Sequence, residues 1–233
     1  RIGSLSLHAS AETGEVRLWE NGLSPELRRG YREHGYGALS LGATKLLGPI
    51  ALSARATNLV EHETVLGARF DGAFGNKGAR SWFADLEARW MPSRTWAMAA
   101  AWRQGWTRLA PGGLRLGSDR LRTNAWSVDV ARSNLITPSD RLSLRLAQPL
   151  RVSRGGFDLT LPTQYDYASG TAGFSTSRFN LAPSGRERDV EAAYSRLLWG
   201  GRVSANAFAR RQPGNLSRHP DDLGAAIRFS FGL

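Results

Sequence analysis

The sequence predicts an all-β chain: a transmembrane up-and-down antiparallel β-barrel of about twelve strands. Three observations carry that expectation. Apolar residues recur at every second position through most of the chain, the period of a strand with one greasy face. Tryptophans gather near the ends of those runs, where an interfacial girdle needs them. The opposite face mixes Ser, Gly, Ala and Asn with charges of both signs, the lining of a watery lumen and not of a packed core.

Composition narrows the class. The 233 residues carry 31 Lys+Arg against 20 Asp+Glu, a formal net charge of +11, and Lys45 and Lys77 are the only lysines. The arginines sit singly inside alternating runs, as in Leu144-Arg145-Leu146, so they form no nucleic-acid patch. There are no cysteines, which removes disulfides and thiolate metal sites. No apolar run approaches the roughly 20 residues of a spanning helix, so any crossing is made by strands. The start at Arg1, without Met or an apolar leader, reads as a mature protein or an excised domain.

In order, strand one carries Leu5, Leu7 and Ala9 opposite Ser4, Ser6 and His8, and a loop over 13–35 follows. Strand two sets Leu39 and Leu41 against Ser40 and Gly42; Gly48-Pro49 is a tight turn. Strand three places Ile50, Leu52, Ala54 and Ala56 opposite Ser53, Arg55 and Thr57. Strand four is expected from Leu66, Ala68, Phe70 and Phe74 against Arg69, Asp71 and Ala73, closed by a hairpin turn at 75–78. Strand five is the most two-faced, with Trp82, Ala84, Leu86, Ala88 and Trp90 against Asp85, Glu87 and Arg89.

After a loop at 91–94, strand six alternates Trp96, Met98, Ala100, Trp102 and Trp106 with small residues and Arg103. A Gly-rich connection spans 110–120. Strand seven has Trp126, Val128 and Val130 opposite Ser127 and Asp129, and strand eight has Leu142, Leu144 and Leu146 opposite Ser143 and Arg145. Gln148-Pro149 is expected to turn the chain into strand nine, 150–161, whose parity slips at Gly155-Gly156 as a bulge. A loop over 163–185 precedes strand ten, with Val190, Ala192 and Tyr194 against Asp189 and Glu191. Gly200-Gly201 turns into strand eleven, where Val203, Ala205, Ala207 and Ala209 oppose Arg202, Ser204, Asn206 and Arg210. The last strand carries Leu223, Ala225, Ile227, Phe229, Phe231 and Leu233 opposite Arg228, and should pair with strand one to close the barrel.

Ending the last strand at the periplasmic side sends loops 13–35, 163–185 and 212–220 outward and the tight turns inward. Two connections spoil the pattern: 110–120 becomes a long periplasmic link and 91–94 a short outer one. The expected lumen lining is Arg69, Asp71, Asp85, Glu87, Arg89, Arg103, Asp129, Arg145, Asp189, Glu191, Arg202, Arg210 and Arg228. Trp82, Trp90, Trp96, Trp106, Trp126, Phe229 and Phe231 are expected to face lipid or form the girdle.

The stretches Asp140-Arg-Leu-Ser-Leu-Arg-Leu-Ala-Gln-Pro-Leu-Arg-Val152, Arg211-Gln-Pro-Gly-Asn215 and Pro220-Asp-Asp-Leu-Gly-Ala-Ala-Ile-Arg-Phe-Ser-Phe231 carry a resemblance. Over nearly its whole length the chain resembles the C-terminal translocator barrel of autotransporters, most of all those attached to subtilisin-like serine protease passengers. The resemblance implies one domain over 1–233, a twelve-stranded barrel with a linker helix in its lumen, and export of an N-terminal passenger to the cell surface. It implies the bacterial outer membrane, a monomer, contact with outer-membrane lipid and lipopolysaccharide, and assembly by the barrel-assembly machinery. Ile227, Phe229, Phe231 and Leu233 would be the terminal assembly signal. Two departures stand out: no helical linker precedes strand one, and Leu233 replaces the family's usual final aromatic.

Enzymatic readings are weak. His8-Ala9-Ser10 has the His-x-Ser spacing of outer-membrane phospholipase, but parity turns His8 into the lumen, away from lipid. His34, His62 and His219 fall in expected loops without partners at metal-ligand spacing, so no cofactor or metal is expected. The alternative to export is a narrow channel for small solutes, suited to anions by the arginine excess.

Overall fold

Period-two alternation becomes strand over most of the chain. The computed structural model describes residues 4–18, 32–68, 78–109 and 120–231. Twelve strands follow in order: β1 Leu5–Leu18, β2 Arg32–Leu47, β3 Ile50–Glu61, β4 Ala79–Trp90, β5 Trp96–Leu109, β6 Leu121–Ser133, β7 Arg141–Arg154, β8 Gly156–Asp166, β9 Thr171–Asn180, β10 Arg188–Leu198, β11 Gly201–Arg211 and β12 Asp222–Ser230. Ten form one antiparallel sheet in the order β1-β2-β3-β4-β5-β6-β7-β10-β11-β12, while β8 and β9 pair only with each other. Among the described residues a 3-10 turn at Pro213–Asn215 is the other regular element.

The total of twelve agrees with the expectation, but its composition differs in three places. The run expected as strand four begins as a reversal. Leu66 and Gly67 take positive φ of 53° and 78°. The buried Glu61 carboxylate gathers the Thr64 hydroxyl at 2.9 Å and the amides of Leu66 and Gly67 at 2.7 Å each. Three donors on one carboxylate outweigh a short alternating pattern. Arg69, Asp71 and most of the expected hairpin turn lie outside the described residues.

Gln148-Pro149 is not a turn. β7 runs straight through it, with a register shift between Trp126↔Gln148 and Asn124↔Arg151. That shift sets Pro149 and Leu150 opposite Ala125 in a bulge, where proline's missing N–H leaves no ladder bond unmade. The chain breaks instead at Gly155, whose φ is 118° and whose added Cβ would lie 2.8 Å from the Arg120 carbonyl oxygen. The loop expected over 163–185 holds the end of β8 and all of β9. The outer parts of β1 and β2 also extend as strand into the loop expected over 13–35.

Together these shifts remove the irregularity in the connections. The links 19–31, 62–78, 110–120, 155–187 and 212–221 all fall at one end of the sheet. The tight links 48–49, 91–95, 134–140 and 199–200 all fall at the other. The short end has its own lock. In the link 134–140, the buried Asp140 carboxylate accepts the amides of Leu135, Ile136 and Thr137 at 2.7–2.9 Å and the Tyr194 hydroxyl at 3.1 Å. Burial pushes this carboxyl up, but the backbone and tyrosine hydrogen bonds outweigh it and hold it below the ordinary aspartate range.

β1 and β12 are the two edges of the sheet; among the described residues no register joins them. The expected pairing of the last strand with Leu5 and Leu7 is therefore not made here. The sheet also lacks an ordinary core. Among the described residues the buried apolar side chains are Val65, Ala79, Phe83, Leu121 and Ala131. The accessible surface is 16283 Å², against about 10,000 Å² for a compact chain of this mass.

Candidate functional site

Side chains alternate across a strand, so each stave has one polar and one apolar face. The polar faces of β1 to β7 and of β10 line one cavity of about 1050 Å³, so the sheet is concave on that side. Hydroxyl pairs join neighbouring staves there: Ser40 with Thr57 at 2.8 Å, Thr44 with Ser53 at 2.9 Å and Ser81 with Thr107 at 2.8 Å.

Charges follow an alternating pattern across this face. Arg55 is in register with Asp85, and Asp85 with Arg103. The Arg103 guanidinium grips Asp85 through Nε and Nη2, the latter 3.2 Å from Oδ2. Arg103 also lies over the Phe83 ring, 5.5 Å from its centroid. Asp129 is opposite Arg145, with Nε 3.8 Å from Oδ1, and Arg145 is opposite Glu191 on β10. Asp189, Arg210 and Asp222 continue the alternation over β10, β11 and β12, with Arg210 Nη1 3.6 Å from Asp222 Oδ2. Glu87 and Arg89 pair along β4. Opposite charges directly across neighbouring strands stabilise the ladder, whereas like charges there would strain it.

Of the residues expected at a lumen, Asp85, Glu87, Arg89, Arg103, Arg145, Asp189 and Glu191 line this cavity. Asp129, Arg202, Arg210 and Arg228 share the face by register but lie outside the cavity. Arg55 and Asp222 belong to the same network though neither is in the expected lumen lining; period-two parity with Ser53 and with Arg228 is the signal that places them on this face. His8 also lines the cavity, its ring lying against Gly42, where an added Cβ would come within 2.3 Å of Nε2. No hydrogen bond joins His8 to Ser10 among the described residues, and Ser10 is in register with Ser40. His34, expected in a loop, is a buried β2 residue with Nδ1 2.7 Å from Glu63 Oε2.

The opposite face is apolar and uncovered. Leu7, Leu41, Leu86, Val128, Leu144, Val190 and Ile227 are all exposed, Leu7 by 78% and Ile227 by 81%. Trp82 faces Trp106 near the long-loop end, Trp102 faces Trp126 at mid-height, and Trp90 and Trp96 stand at the tight-turn end. Phe229 and Phe231 stack edge to face at 5.3 Å on the apolar side of the C-terminal strand and beyond it. Leu233 lies outside the described residues.

The arrangement offers fixed charges and hydroxyls to something polar on one side and hydrocarbon to something apolar on the other. Among the described residues no three of His, Cys, Asp and Glu come together at metal-binding geometry. No protein-family model, no curated protein and no solved structure matches this chain.

Proposed function

We propose that this chain is the wall of a bacterial outer-membrane β-barrel, and that it anchors and exports a passenger polypeptide. One observation carries the membrane reading: a ten-stranded sheet keeps an aliphatic and aromatic face bare from β1 to β12. In water each uncovered leucine or phenylalanine forgoes about 1.5–3 kcal/mol of burial. In a bilayer that face is solvated, and pairing β1 with β12 satisfies the remaining backbone groups. The alternation of long and tight connections at opposite ends fits outer loops and periplasmic turns.

The export reading rests on the resemblance to autotransporter barrels and on the charge-balanced concave face, which suits a polar segment in transit. A second reading, a narrow channel for small solutes, draws on size. Ten staves enclose less than twelve.

The deciding experiment fuses a reporter ahead of Arg1, behind a secretion signal, and adds protease to intact cells. Export predicts a membrane-inserted chain and a reporter cleaved from outside. A reporter held in the periplasm by an inserted barrel favours the channel, which conductance in planar bilayers then measures. A chain that remains soluble in the periplasm overturns the membrane wall altogether.

A further inference from the structure

The apolar face ends, toward the long loops, in three arginine pairs placed directly opposite each other across neighbouring strands. Arg80 on β4 is in register with Arg108 on β5. Arg122 on β6 is in register with Arg154 on β7, next to a bulge at Ser153, and Arg188 on β10 with Arg211 on β11. All six are exposed. None makes a side-chain hydrogen bond or ion pair with another described residue. The rung that holds Arg122 and Arg154 continues through Trp106 to Trp82, so these two guanidinium groups stand at the level of that tryptophan pair.

The tight-turn end of the same face is different. Its strand cations are Lys45, Arg132 and Arg196, and each is opposite apolar residues: Lys45 beside Leu5 and Leu52, Arg132 beside Trp96 and Leu142, Arg196 beside Val203. Arg132 spreads over the Trp96 ring at 5.2 Å. Like charges are thus doubled at one end only.

Directly opposed residues on antiparallel strands have Cβ atoms about 5 Å apart, and like charges in that position destabilise the sheet. Three such pairs at the long-loop ends of their strands, on a face that otherwise carries hydrocarbon, are relieved by an anion. Two guanidinium forks at this spacing bind a tetrahedral phosphate through several charge-assisted hydrogen bonds. The hydrocarbon staves immediately below fit the acyl chains of the molecule that bears it. Resting on the membrane reading above, we propose that these three pairs bind the phosphate groups of an anionic lipid in the leaflet at the long-loop end. They give the wall a fixed depth and polarity in an asymmetric bilayer.

The test uses the full chain refolded into vesicles of phosphatidylcholine alone and of phosphatidylcholine doped with phosphatidic acid, with unfolding followed by denaturant. The doped vesicles should stabilise the native chain. Arg80→Gln/Arg108→Gln and Arg122→Gln/Arg154→Gln should each weaken that lipid response about tenfold, the worth of one charge-assisted contact. In neutral vesicles the same variants should be as stable as the native chain or more so, because the repulsion is gone. Paired Arg→Lys changes should retain most of the response, and Arg132→Gln should leave it unchanged. A response that survives both glutamine pairs overturns the proposal, as does an equal loss of stability in both kinds of vesicle. So does reproduction of the effect by inorganic phosphate in neutral vesicles. Failure to insert into either kind of vesicle would sink the membrane wall itself, whereas insertion without a lipid response sinks only the arginine sites.

Discussion

Asp85 and Leu86 are joined by one peptide bond and meet opposite surroundings. Asp85 is held between Arg55 and Arg103 on the concave side, its charge matched on both neighbouring strands. Leu86 stands 52% exposed on the apolar side, in register with Ala54 and Trp102. The same contrast repeats at Arg145 and Leu146, and at Ile227 and Arg228. In a soluble sheet with one wet face, the apolar side is covered and the polar side is bare. Here the apolar side is bare, and the polar side surrounds a cavity and pairs its own charges. On the proposed membrane reading the hydrocarbon is the outside and the polar residues the interior, an inversion that an apolar solvent rewards.

The most severe way to break this contrast is to place one charge on each face at the same height. Leu86→Arg puts a guanidinium at the middle of the apolar belt and should cost about 2–4 kcal/mol in vesicles. Ala101→Arg, one position along from Trp102, adds its charge beside Glu87 on the concave face. It should change stability by less than about 1 kcal/mol. Denaturant unfolding of both variants folded in vesicles measures the two costs. Similar costs would mean that the faces are not inside and outside.

A smaller effect sharpens what the concave charges do. The Asp85 and Arg103 side chains are 22% and 48% exposed, so water screens their attraction. A double-mutant cycle of Asp85→Ala and Arg103→Ala should give a coupling of about 0.5–1 kcal/mol. Arg55, on the other side of Asp85, makes the single Arg103 change milder than the single Asp85 change. A coupling well above 2 kcal/mol would mean a dry, packed pair and a lumen closed to water.

The facing of most staves was legible because it needs only the period of two, although the bulge in β7 turns Val152, expected on the apolar face, to the side of Thr123. Parity alone assigned Asp85, Glu87, Arg103 and Arg145 to one side and Trp82, Leu86 and Phe229 to the other. Where strands stop was less legible, because carboxylates and bulges decide it through contacts distant in sequence. Glu61 ends β3 by gathering three donors from residues ahead of it, so the alternation from Leu66 onward reads as a strand that does not start there. Pro149 reads as a turn until Ala125 on the neighbouring strand is known to accept a bulge. The like-charge arginine pairs are invisible in sequence, since register joins positions 23 to 32 residues apart.

The hairpin β8–β9 is where neither face has anything to face, and that explains both why its composition hid it and why its removal should matter least. β9, Thr171–Asn180, is exposed at every position. With no surface to bury, it needs no apolar alternation, and its Ser, Thr and Gly read as loop. Its strands pair only with each other, so it lends the ten-stranded wall no ladder bonds. An isolated hairpin of this kind is marginal in water, and its stability adds little to the whole. Its two ends already meet: Gly156 is in register with Asn180, and the Leu181 amide donates to the Gly155 carbonyl at 2.9 Å. Replacing 157–179 with a short Gly-Ser link should therefore leave β7 paired with β10 and change wall stability by less than about 0.5 kcal/mol. Denaturant unfolding in vesicles measures the change, and protease added at the long-loop side should lose its cleavage sites in this stretch. A wall that no longer assembles without the hairpin would show that β8 and β9 belong to it as staves, restoring a count of twelve and a wider enclosure.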